Sequence, residues 1–188
     1  MAIALGTAVK RHFILALVLT FCMTPLRSAT LERLSLDDMI SQSTSIVRGK
    51  VANSYSAFSG RIIYTHYAIQ VSERLKGSAQ ATIDVAVPGG AANNLRQTFA
   101  GAPELATGQE YVLFLWTGRS GITQVIGMTQ GLFSVAPDSS SDPLATRRAS
   151  RELMLARGTG QPVKDRTLVM RLSELRSLIA ISKGSVGK

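Results

Sequence analysis

The chain reads as a mainly β protein: a small OB-like antiparallel β-barrel of five to six strands, with a short N-terminal helix and a C-terminal helix. Three observations predict this. Tyr111 to Trp116 is an unbroken apolar and aromatic run, so both faces of an extended strand there are apolar and the strand should be buried on both sides. Thr117 to Gly121 has turn chemistry, and Ile122 to Met128 then returns as a second strand. Three more segments, Ser45–Val51, Ile62–Arg74 and Ala81–Val87, are rich in β-branched residues and are closed off by Gly or Pro. Strands of this number with one long loop suit a small barrel.

Residues 1–29 have the layout of a secretory signal peptide. Lys10 and Arg11 precede an apolar run from Phe13 to Met23, Pro25 breaks it, and Ser28 and Ala29 offer a cleavage site. That run falls short of the roughly 20 residues needed to span a bilayer. Cleavage after Ala29 removes Cys22, the single cysteine, so disulfides, thiolate catalysis and cysteine metal sites are excluded from the mature chain. The expected location is periplasmic or extracellular, with no membrane-spanning segment after cleavage.

Leu34 to Ser43 predicts a short helix, with Ser35 as N-cap and Asp38 three residues on. The paired acids Asp37 and Asp38 fit the helix dipole better than acid–base chemistry, because adjacent helical residues face different ways. The strand from Ser45 continues irregularly to Phe58 and turns at Ser59-Gly60. On the return strand Ile63, Thr65, Tyr67, Ile69 and Val71 share one face. Pro88-Gly89-Gly90 stops the third strand, and no period is visible from Ala91 to Thr107. A loop of that length in a compact domain is often functional. Gly127 and Gly131 stand where a bulge or a close backbone approach is expected.

Residues 136–143 have linker composition, and their Asp138 and Asp142 lack the further oxygens that calcium needs. A helix is predicted from Ser173 to Ser182, with 167–172 leaning to a strand. The formal charge of +9 is uneven: residues 30–142 hold eight basic against nine acidic residues, and 143–188 hold ten against three. The chain therefore divides into a leader (1–29), a near-neutral β-barrel domain (30–136) and a basic C-terminal extension (137–188) whose helix packs on the barrel.

Ile46-Val47-Arg48-Gly49-Lys50-Val51, Val71 to Gly77 and Thr107 to Phe114, with Val87-Pro88-Gly89-Gly90 and Gln130-Gly131-Leu132-Phe133, resemble a family of uncharacterised secreted bacterial proteins across residues 35–135. The first three segments more weakly resemble the netrin-like module of tissue inhibitors of metalloproteinases, an OB-type barrel. That second resemblance implies a scaffold only. Those inhibitors chelate zinc through an amino-terminal cysteine, and the mature chain here would begin near Thr30 without one.

His66 is the one histidine beyond the leader, and no Gly-x-Ser-x-Gly elbow accompanies it. No phosphate loop, dinucleotide fingerprint or zinc spacing is present, so no catalytic residue, cofactor or metal is assigned. Trp116 is expected in the core, and a near-neutral barrel argues against nucleic acid. The expectation is an exported, non-enzymatic binding module of the cell envelope. Its predicted ligand residues are Gly89, Gly90, Asn93, Asn94 and Arg96. Arg147, Arg148 and Arg151 are predicted to contact an anionic surface. An envelope protein is the other expected partner, and an inhibitor or modulator of an extracellular enzyme, or a hydrolase, are the alternatives.

Overall fold

The computed structural model describes residues 29–78, 80–136 and 141–185, so the leader lies outside the described residues apart from Ala29. The strands are β1 (Thr30–Glu32), β2 (Ser45–Ser59), β3 (Ile62–Lys76), β4 (Thr82–Pro88), β5 (Gly90–Ala92), β6 (Leu95–Gln97) and β7 (Glu110–Thr117). They continue as β8 (Thr123–Val125), β9 (Leu132–Val135), β10 (Leu144–Arg147), β11 (Leu153–Leu155), β12 (Pro162–Val163) and β13 (Leu168–Arg171). The helices are α1 (Leu36–Gln42) and α2 (Leu172–Ser185). An eight-stranded antiparallel sheet has the order β13-β10-β9-β7-β2-β3-β4, with β8 also paired to β7. A small sheet, β1-β11-β12, and the β5–β6 hairpin stand beside it.

The apolar run in β7 is a shared wall. Val112 and Phe114 face one core with Met39 and Ile40 of α1, Phe133, Ala145, and Leu172, Leu175 and Ile179 of α2. Tyr111, Leu113 and Leu115 face a second core with Val47, Ile69, Val85, Val87 and Val125. Alternation at period two thus buries both faces, as the unbroken run predicts. Trp116 departs from expectation: it lies past the covered part of the strand and is 46% exposed. Residues on both sides of position 137 contribute to the first core.

Strands β4-β3-β2-β7-β8 curl around the second core far enough to bring β4 beside β8, but no ladder joins these two. The sheet is therefore open, and the expected closed barrel is corrected to an open curl. Strand β2 carries register shifts at Ile46/Val47, Arg48/Gly49 and Val51/Asn53, and each local irregularity adds bend and twist.

Local chemistry accounts for most boundaries. Helix α1 opens on a capping box: Ser35 Oγ accepts from Asp38 N at 3.0 Å, and Asp38 Oδ2 accepts from Ser35 N at 3.1 Å. The Ser35 hydroxyl also donates to Asp38 and holds that carboxyl below its usual range. Helix α2 opens on Asp142, which accepts from Ser173 N at 2.9 Å and from Ser173 Oγ at 2.7 Å. The lean to a strand before it is met by β13. The predicted strand Ile122–Met128 is shortened to β8, because Gly127 and Met128 both take positive φ and turn the chain back. Strand β9 can then pair with β7 as well. Gly131 is a point of close backbone approach: a Cβ there would lie 2.9 Å from Ile126 O and 3.0 Å from Phe114 O.

Candidate functional site

The segment after Pro88, aperiodic in sequence, folds as the β5–β6 hairpin around Asn93-Asn94. Both asparagines have positive φ, 50° and 62°, the backbone of a two-residue type I′ turn. The hairpin lies back on the far half of β2–β3 through polar ties. Gly89 N donates to Ile63 O at 2.8 Å, and Thr65 Oγ1 donates to Gly89 O at 2.8 Å. The Gln97 amide accepts from Ile63 N at 2.7 Å and donates to Arg61 O at 3.0 Å. Gly90 sits at φ +137°, and a Cβ there would stand 2.6 Å from both Ser56 Oγ and Thr65 Oγ1. Only glycine meets both the conformation and the space.

This docking leaves a groove of about 510 Å³ bordered by Gly89, Gly90, Arg96, Phe99, Tyr67 and Glu104. Burial pushes the Tyr67 hydroxyl above the usual phenol range, so it faces the groove uncharged. The walls offer one cation, one carboxylate, an aromatic face and close glycine backbone. Such a set suits recognition of a ligand by charge and shape. Of the residues predicted to bind, Gly89, Gly90 and Arg96 come together here. Asn93 and Asn94 do not line the groove; their backbone makes the turn. The prediction missed Gln97, Phe99 and Glu104, although Asn-Asn, read as a two-residue turn, points to the hairpin that presents the first two.

A second constellation lies where β4 approaches β8. His66 Nδ1 is 2.7 Å from Asp84 Oδ2, and Tyr55 stacks on the imidazole at 4.9 Å between centroids and 9° between planes. His66 lies on the polar outer face of β3, Tyr55 is its partner on β2, and Asp84 stands on β4 one residue off the register of Tyr67–Val85. His66 and Asp84 border a groove of about 630 Å³ together with Ser78, Thr117, Ser120 and Thr123. Asp84 is the carboxylate a histidine base would need to orient it. No hydroxyl bonds to His66 among the described residues, so the nucleophile–base contact of a hydrolase is missing. An adjoining groove of about 280 Å³ carries Trp116 and Pro88.

The predicted arginine cluster is split. Arg147 is 4% exposed and bidentate to Asp165, with Nη1–Oδ2 at 2.9 Å and Nη2–Oδ1 at 2.8 Å. It is therefore withdrawn from any surface, which corrects its assignment as a surface contact. Burial pushes the Asp165 carboxyl up, but the Arg147 hydrogen bond and charge, with the Ser150 amide, outweigh it and leave it below the usual range. Arg148 and Arg151 are exposed, and Arg148 borders a separate groove of about 470 Å³ with Gln109 and Ser134.

Among the described residues no group of three or more His, Cys, Asp or Glu is placed to hold a metal ion, and no helix is long and apolar enough to cross a membrane. No family model, curated protein or solved structure matches the chain.

Proposed function

We propose that this chain is an exported, non-enzymatic binding module of the cell envelope that takes its ligand in the groove beneath the β5–β6 hairpin. The observation that carries the reading is the seating of Gly90 against Ser56 and Thr65. It fixes the hairpin, and with it Arg96 and Phe99, before any ligand arrives, and a pre-formed site loses less entropy on binding. The leader-like first 29 residues support export to the periplasm or beyond, as does the resemblance to secreted bacterial proteins. The five-strand curl around the Leu113 core is taken here as an OB-like scaffold open at the β4–β8 seam. Modulation of an extracellular enzyme is the form such binding takes if the captured partner is itself an enzyme.

The test is capture from envelope and culture-medium fractions by residues 29–188, which hold every element described, at low and high salt. A specific groove ligand is retained at high salt and lost on joint Arg96→Gln and Glu104→Gln substitution. Retention unchanged by both substitutions removes the groove from the account. The His66–Asp84 contact favours a second reading, a hydrolase. That reading requires turnover of an ester or amide substrate that His66→Ala abolishes.

A further inference from the structure

We propose that the tip of the β2–β3 hairpin, with the short β5–β6 hairpin anchored beside it, docks the protein on an anionic lipid surface. The base of the β5–β6 hairpin lies against the tip of the long one: Gln97, paired with Gly90, grips the backbone at Ile63 and Arg61, next to the Gly60-Arg61 turn. Leu95, two residues before Gln97 on the same strand, shares its face. Leu95 is 60% exposed and Phe58, beside the turn, is 39% exposed, although Ile63 opposite it is fully buried. Apolar side chains are thus left in water on both hairpins.

The charge around them has one sign. Residues 53–72 and 85–103, which include both hairpin turns, contain no Asp or Glu; their full charges are Arg61 and Arg96. Neither guanidinium has a hydrogen bond or ion pair among the described residues. Arg48, Arg147, Arg157 and Arg176, by contrast, each meet a carboxylate. Exposed Leu and Phe flanked by unpaired arginines fit the headgroup region, where apolar groups enter the acyl boundary and guanidinium meets lipid phosphate. Two apolar side chains at turn tips are too little for a stable protein interface, which buries on the order of 1,200 Å² or more.

Leu95, Phe58 and Arg61 do not border the groove, whereas Arg96 does, so the lipid contact is tested on those three residues and separately from the groove's ligand. The experiment is flotation of residues 29–188 with phosphatidylcholine vesicles, with and without phosphatidylglycerol. The expected result is binding only to the vesicles with phosphatidylglycerol, screened by salt. Arg61→Gln should weaken it about fivefold, and joint Phe58→Asp and Leu95→Asp should abolish it with unchanged circular dichroism. Arg148→Gln with Arg151→Gln should leave it intact. No binding, equal binding to neutral vesicles, or loss through the Arg148 and Arg151 changes instead would each overturn it. Self-association removed by Leu95→Asp, without lipid binding, would give the tip to a second copy and overturn it too.

Discussion

Arg147 and Asp165 form a two-bond ion pair in which their side chains are 5% and 1% exposed. The guanidinium also donates to Arg166 O at 2.8 Å, so one arginine ties β10 to the segment before β13. A run of arginines therefore holds one structural member and two exposed ones, Arg148 and Arg151. Removing one partner of a buried pair strands the other charge. Arg147→Met is expected to cost about 3–5 kcal/mol, and Arg148→Gln no more than about 0.5 kcal/mol. Urea unfolding of both variants checks this, and equal midpoints would refute the distinction.

The same pair sets a pH dependence. The folded-state carboxyl of Asp165 lies below its ordinary value of 3.8, so its contribution is complete above the unfolded-state pKa and is lost as pH falls through the folded one. Asp38 and Asp142 shift in the same direction, through their hydrogen bonds from Ser35 and Ser173. Stability from these groups should be flat above about pH 5 and fall below about pH 4. Urea midpoints taken down the acid limb should show the wild type converging on Asp165→Asn.

Gln130 is 1% exposed, and its amide bridges two backbone groups of the N-terminal segment. It accepts from Leu34 N at 2.8 Å and donates to Glu32 O at 2.9 Å. Gln130→Ala leaves both without that partner, at about 1–3 kcal/mol. The loss should be local, because β1 is otherwise held by three residues of pairing to β11. Amide exchange should speed up first at residues 31–34, and a uniform increase across β7 would contradict this.

Gly131→Ala forces a methyl against two backbone carbonyls that cannot turn aside, and about 1–3 kcal/mol of global stability should be lost. Gly90→Ala acts elsewhere. Its neighbours are hydroxyls at the hairpin base, so the hairpin should lift while both cores persist. The Ile63 amide, held by Gln97, reports on it: faster exchange there with little change in the urea midpoint is the expected signature.

The double burial of β7 was legible because an unbroken apolar run has one extended solution, two covered faces. Ser35, Pro88 and Gly131 were legible for the same kind of reason: a cap, a missing donor and a missing side chain are properties of single residues. What escaped depends on distant partners. Strands β5 and β6 have three residues each, too few to show a period, and only the Asn-Asn turn marks them. Asp165 lies 18 residues beyond Arg147, and Asp84 lies 18 beyond His66, so neither pairing leaves a local signal. Barrel closure depends on how the bulges of β2 sum to a curvature, which no segment carries alone.

The most direct test of the groove as the binding site is a hydrogen-exchange footprint of the captured ligand. Residues 29–188 would be compared with and without the species retained from envelope extract at high salt. The account predicts slowed exchange concentrated at residues 89–99 and around Glu104, with β10 to α2 unchanged. Protection confined to 147–151, or to the His66–Asp84 face, would contradict it.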